Sequence, residues 1–404
     1  MGNLPAFFDI IVLSIMVHGA ATTALLHHHF IEGWSIDSMK IYRFRALVLL
    51  AVFVSTLLAG CSAGAGTQKI DKPDEPLVIL EWTGYEVTEY PQFFVPFSDK
   101  YGDKINDYVN VSVFGDDAEA FAKVQSGFNA DIMHPCSSWW GLYVESGLVQ
   151  PLDVSRIAEW ENIPEAFREP GKFNGEYYFV PWDWYYEALL VRTDLVPEMP
   201  TSLADLWDPM YAGHVSLWDN GEVSFATAAL AFGIDPFNTT PEQDEFVKQK
   251  LIEIKPNLLT YWLDYTQAIE LSASGDAWIV ASAWQDTWSV LVDEGYEVAY
   301  LEPEEGYLAG VCGYGIGINN TNLDLTYEFL NAAIDPHSMA NFTNEYWYGA
   351  ANFAANEFID EGAAELLQLD NFENVLKNTR FYPPLTAERR DLLSDLWNEV
   401  KAAP

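Results

Sequence analysis

The sequence predicts an α/β protein built on a mostly parallel sheet, with chain enough for two lobes. Its 404 residues, 50% hydrophobic and 15% aromatic, are enough to bury two cores of ordinary domain size. Short β-rich runs alternate with amphipathic helical windows, which is the signature of βαβ units. No internal repeat or low-complexity block interrupts that alternation.

The elements follow in order from residue 77, with strands over 77–82, 109–114 and 131–133 and helices near 91–101 and 118–126. In the helix near 118–126, Ala118, Phe121, Ala122 and Val124 recur at helical spacing, which core packing explains. Further helices are predicted over 202–207, 222–232, 241–250, 265–274, 287–294, 323–334, 361–367 and 387–401.

Ahead of this folded part lies a segment with the layout of a secretory signal. Met39 is followed by Lys40, Arg43 and Arg45, then by an apolar run over 46–58, then by Leu58-Ala59-Gly60-Cys61. A cysteine directly after Ala-Gly makes this a lipobox. The apolar run is shorter than the ~20 residues that span a bilayer, so a lipoprotein signal peptide is expected at 39–60 and lipidation at Cys61. Residues 1–38 read as an upstream extension outside the functional protein, and 61–76, small and polar, as a flexible tether.

The formal charge of −40, from 60 acidic and 20 basic residues, excludes nucleic acid and anionic lipid surfaces as partners. Residues 1–60 contribute Lys40, Arg43 and Arg45 against Asp9, Glu32 and Asp37, so the acidity belongs to the folded part. Such a surface serves solubility and permits a cationic ligand without specifying one. Beyond the leader only His134, His214 and His337 remain, a scatter without catalytic or metal-ligating spacing, so neither a catalytic residue nor a metal or cofactor is expected. In an oxidising compartment Cys136 and Cys312 can pair or stay as buried thiols, and their spacing does not choose.

Several stretches, read in order, resemble the spermidine/putrescine-binding periplasmic proteins of ABC importers. They are Glu81-Trp82-Thr83-Gly84-Tyr85, the loop from Asp131 through His134-Pro135-Cys136-Ser137-Ser138, Glu145-Ser146-Gly147-Leu148 with Val149-Gln150-Pro151-Leu152-Asp153, and Phe179-Val180-Pro181-Trp182-Asp183-Trp184. Ser202-Leu203-Ala204-Asp205-Leu206-Trp207-Asp208-Pro209, Ala283-Trp284-Gln285-Asp286 and Tyr348-Gly349-Ala350-Ala351-Asn352 complete the set. The resemblance implies a two-lobed periplasmic-binding-protein-like fold of type II with the ligand cleft between lobes. One lobe would comprise 77–185 and 311–357, the other 186–310 and 358–404. It also implies a monomer that captures a small cationic organic solute in the periplasm, touches the membrane only through its lipid, and delivers the solute to a permease and its ATPase subunits.

A cationic nitrogen is held by aromatic faces and by carboxylates that give charge-assisted hydrogen bonds. By resemblance Trp82, Tyr85, Trp284 and Tyr348 line the cleft, with Trp184, Trp218 and Trp139 on neighbouring loops and Ser137 and Ser138 on the contacting loop. The acids of polyamine binders fall at Asn220 and Val223 and near Gly313, none of which is acidic here. Asp219, Glu222 and Asp286 become the candidate anionic partners, with Asp183 and Glu187 nearby in reserve. Because the pocket loops read as aromatic-rich and carboxylate-poor, the alternative solute is a quaternary ammonium or sulfonium compound such as choline, a betaine or dimethylsulfoniopropionate. A secreted glycoside hydrolase is the remote alternative, and it lacks an acid pair in any catalytic motif.

Overall fold

The computed structural model describes Pro73 and residues 75–404. The expected signal peptide, Cys61 and nearly all of the expected tether lie outside the described residues.

The chain opens with three strand-to-helix units: β1 (Leu77–Trp82) before α1 (Val95–Tyr101), β2 (Val109–Phe114) before α2 (Asp117–Gln125), and β3 (Ile132–Met133) before α3 (Ser137–Glu145). After β4 (Val149–Gln150), the 14-residue β5 (Phe179–Arg192) carries the chain into the second lobe. That lobe holds β6 (Val215–Trp218), α4 (Gly221–Ala231), α5 (Pro241–Glu253), β7 (Leu258–Trp262), α6 (Tyr265–Ser274), β8 (Ile279–Ala283), α7 (Gln285–Asp293) and β9 (Val298–Leu301). β10 (Tyr307–Gly317) leads back, followed by α8 (Leu323–Ala333), α9 (Pro336–Tyr346), β11 (Gly349–Ala350), β12 (Thr379–Phe381) and α10 (Ala387–Ala402).

The strands run β2-β1-β3-β10-β5-β8-β6-β7, and the two long central members join the lobes. The outer strands are parallel to their neighbours, β1 to β2 and β3 in one lobe and β6 to β7 and β8 in the other. β5 is antiparallel to β10 over Phe179 to Glu187, and beyond that to β8 and β9 from Ala188 to Arg192. The α/β, two-lobed expectation is borne out.

Local signals account for the helix ends. Asp116 caps α2 by accepting from Glu119 N–H at 2.8 Å, and Asp264 caps α6 by accepting from Gln267 N–H at 2.9 Å before Gly275 ends that helix in the left-handed conformation. Thr240 and Gln243 form a capping box on α5. Some expectations differ from what forms, and the short helices Glu165–Arg168 and Phe372–Asn378 were not foreseen. Residues 203–207 are a 3-10 helix, and α9 was not foreseen although Pro336 occupies its first turn, where a missing N–H costs no hydrogen bond.

One core gathers Leu80, Phe94, Phe97, Trp182, Phe329 and Phe342; the second is divided between Leu206, Val215, Phe225 and Leu251 and a smaller group around Trp262 and Val280. The C-terminal segment serves both lobes: Leu367 and Val375 lie in the first core, Leu393, Trp397 and Val400 in the second. Cys136 and Cys312 form a disulfide that ties the turn before α3 to β10, which decides the alternative left open by their spacing.

Candidate functional site

Parallel strands of both lobes end facing one cavity of about 570 Å³. Trp82 ends β1, Asp117 begins α2 and Ser138 lies in the first turn of α3; from the other lobe come Trp218 at the end of β6, Tyr265 at the start of α6 and Asp286 in the first turn of α7. The carboxyl ends of parallel strands are where open α/β sheets hold ligands, because strand-to-helix loops converge there with free N–H groups.

Of the residues expected from sequence, the structure brings together Trp82, Tyr85, Ser138, Trp218, Asp219, Glu222, Trp284, Asp286 and Tyr348. Ser137 and Trp184 do not join them. Ser137 is buried and its hydroxyl donates to the Tyr382 carbonyl at 2.7 Å. Trp184 is buried in the first lobe, its indole N–H on the Ala350 carbonyl and its ring against Tyr186 and Phe372. The physical reason is strand parity. Successive side chains of β5 point to opposite faces, so Asp183, Tyr185 and Glu187 line the cavity while Trp184 and Tyr186 enter the core.

The aromatic wall is assembled by packing. Trp218 stacks on Trp262 with ring centres 5.1 Å apart, and Trp284 meets both edge-on at 4.9 and 5.6 Å. The indole N–H of Trp284 is buried with no partner among the described residues. Tyr185 lies across β10 at Gly310, where a Cβ would come within 2.4 Å of its ring, so only glycine leaves room for it.

The acids divide into two sets. Asp219 accepts from Trp397 Nε1 and Lys401 Nζ, each at 2.7 Å, and Glu222 is paired with Arg390. Arg390 also stacks on Trp139 at 3.7 Å and donates to the Ser138 carbonyl, so it ties the α3 turn to α4. Burial lowers the Arg390 pKa to about 10, opposed by Asp117. It is the one basic side chain lining the cavity among the described residues.

The second set is less satisfied. Burial lifts Asp117 to about 7 against a hydrogen bond from Cys136 N–H at 3.1 Å, and lifts Asp286 to about 7 against hydrogen bonds from Tyr348 and Thr287. Glu187, also buried, rises to about 8; Tyr382 O–H donates to its Oε2 at 2.8 Å and Oε1 has no partner among the described residues. Asp183 is buried with Oδ1 unmatched by any donor of good geometry, the nearest being His134 Nε2 at 3.5 Å. Behind it Glu81 accepts from Tyr314 O–H at 2.8 Å and contacts His134 Nδ1 at 2.6 Å. Burial disfavours a charged His134, but Glu81 and Asp183 outweigh it and raise the ring to about 9.

The pocket is therefore not carboxylate-poor, which corrects the sequence expectation. The positions where acids were expected have other duties. Asn220 caps α4 by accepting from the Glu222 and Val223 N–H groups, and Val223 is buried in the second core. Gly313 has no space for a side chain, since a Cβ would stand 2.4 Å from the Val180 carbonyl oxygen. Asp183 and Glu187, reserve acids in the sequence, face the cavity, and Asp117, Tyr185, Tyr265, Tyr382 and Arg390 join them without having been foreseen. The alternation along β5 groups Asp183, Tyr185 and Glu187 on one face, and the pairing with β10 decides that this face meets the cavity; nothing local marks Arg390.

No group of three or more His, Cys, Asp or Glu side chains among the described residues is arranged to hold a metal, and no helix there is long and apolar enough to cross a membrane. The chain is 26% identical over 355 residues to the putrescine-binding periplasmic protein PotF of Escherichia coli, covering 82% of this chain and 90% of that one. It is 23% identical over 313 residues to the spermidine/putrescine-binding periplasmic protein of Salmonella typhimurium, covering 76% and 87%. In fold it is similar to the substrate-binding protein PotD of Streptococcus pneumoniae, with a TM-score of 0.69, 21% identity and coverage of 81% and 98%. Residues 94–365 match the profile of the bacterial extracellular solute-binding proteins, and this chain belongs to that family.

Proposed function

We propose that this protein captures a linear polyamine such as putrescine or spermidine outside the cytoplasm and delivers it to an ABC permease, whose ATPase subunits supply the energy. The observation that carries this reading is the set of Asp117, Asp183, Glu187 and Asp286 around an aromatic-walled cavity with Arg390 as its one lining base among the described residues. Desolvated carboxylates of this kind are costly until a cation pairs with them, and a ligand with several ammonium groups meets several of them at once. The relatives whose names specify putrescine or spermidine agree with this reading.

Trp82, Tyr85, Trp218, Trp284 and Tyr348 supply faces for the methylenes and ammonium groups. Closure turns on the paired crossing strands β5 and β10, and the ligand shifts the population toward the closed form by touching both lobes. The protein itself performs no catalysis. It acts as a monomer held to the membrane by a lipid on Cys61, with 61–76 as the tether. Choline, a betaine or dimethylsulfoniopropionate would bring one cation and leave most of these carboxylates unpaired, so the acids favour a polyamine.

A thermal-shift screen followed by calorimetry tests the reading with putrescine, spermidine, choline, glycine betaine, dimethylsulfoniopropionate and maltose. Putrescine or spermidine should raise the melting temperature by mass action. Stabilisation by a quaternary or sulfonium compound alone would refute it.

A further inference from the structure

β5 runs along the cavity with regular pairing from Asp183, opposite Cys312, to Glu187, opposite Leu308. Asp183, Tyr185 and Glu187 therefore project to one face, and all three line the cavity. Both acids are at least nine-tenths buried, at 2% and 5% exposure, and each carries a buried oxygen, Oδ1 and Oε1, without a hydrogen bond among the described residues, Oδ1 having only His134 Nε2 at 3.5 Å beside it. A surface that serves only packing would not leave two such oxygens beside a cavity, because each costs the desolvation of a polar group with no return.

We propose that Asp183 and Glu187 form a two-point gauge on the crossing strand that selects linear diamines by chain length, with the Tyr185 ring bearing the methylenes between. This rests on the polyamine reading above and names the residues and ligand length that the reading leaves open. A strand advances about 3.3 Å per residue, so four residues separate the two acids by about 13 Å. Two charge-assisted hydrogen bonds of about 2.8 Å leave about 7–8 Å between the nitrogens. An extended diamine of four or five methylenes fills that interval. Two methylenes fall short, and eight must buckle against the tyrosine.

Calorimetry on the intact folded protein with 1,2-diaminoethane, putrescine, cadaverine, 1,8-diaminooctane and butylamine should show affinity peaking at putrescine or cadaverine. Asp183→Asn and Glu187→Gln, nearly isosteric, should each lower putrescine affinity about 30-fold or more and bring it near that of butylamine. Affinity that climbs steadily with chain length, or variants that hold putrescine within about threefold of the parent, would overturn the gauge while leaving the polyamine reading intact. Binding of none of these amines by the parent protein would sink both. Because the length series needs no substitution, it decides the matter even if a variant fails to fold.

Discussion

On the second-lobe side of the cleft, Asp219 is held by Trp397 and Lys401 and Glu222 by Arg390. On the crossing strand, Glu187 Oε1 has no hydrogen-bond partner among the described residues, and Asp183 Oδ1 meets only the longer, 3.5 Å ion pair with His134 Nε2. All four are acids lining one cavity. The first pair is spent on internal order, joining α10 to α4 and the loop before it and, through Arg390, fixing the first turn of α3, while the second retains capacity for a cation from outside. What matters for recognition is therefore which carboxylates remain unpaired after the protein has folded, a property of packing that composition does not record.

This contrast can be broken in several places, beginning with the covalent support of the crossing strands. Cys312 lies opposite Asp183, and its disulfide to Cys136 closes a sequence separation of 176 residues. Replacing both cysteines by serine should cost roughly 2–4 kcal/mol of stability, read by urea unfolding, and should weaken putrescine binding as well. Unchanged affinity in a destabilised but folded variant would show that the strand holds its acids in place without the bridge.

Trp284→Ala removes a side chain that packs on Trp218 and Trp262 and lines the cavity. It should weaken ligand binding by ~1–3 kcal/mol. Loss of stability with unchanged affinity would confine this tryptophan to packing.

The buried acids of the cavity also set a pH dependence. Burial holds Asp117 and Asp286 at about 7 and Glu187 at about 8, whereas in the unfolded chain they titrate near ~4. Between these limits the folded state binds more protons, so stability without ligand should fall as pH rises from about 4 to 8. His134, raised to about 9, adds a loss of the same sign at higher pH. A cation needs the ionised carboxylates, so diamine affinity should rise from pH 6 to pH 8, by up to about tenfold per pH unit for each proton released. Calorimetry across that range, in buffers of different ionisation enthalpy, measures both affinity and protons; affinity that is flat with pH would contradict the placement of these groups.

The smallest effect belongs to the spent acids. Asp219→Asn breaks a pair whose lysine is about one-third exposed, and should change stability by roughly 0.2–1 kcal/mol with little effect on affinity. A large loss of binding would erase the distinction between the two sets.

Much of the scaffold was legible because its signals are local. The window 265–274 coincides with α6, where Asp264 starts and Gly275 stops the helix. The aromatic positions Trp82, Tyr85, Trp284 and Tyr348 were legible through motifs that sit at strand ends. The placement of Trp184 was not, because tryptophan and tyrosine occur on both faces of β5 and its inward face is known only once its pairing is known. Glu222 looked like a ligand acid because its partner, Arg390, is 168 residues away on α10. Gly313 was read as a lost acid, whereas close packing on Val180 leaves no room for one and the neighbouring strand presents Asp183 instead.

The most direct test is a crystal structure of the protein with putrescine bound. The account predicts one ammonium nitrogen at ~2.8 Å from a carboxylate oxygen of Asp183 and the other at a similar distance from Glu187, with the methylenes against Tyr185. Nitrogens seated instead on Asp219 and Glu222, with their bonds to Lys401 and Arg390 displaced, would contradict it.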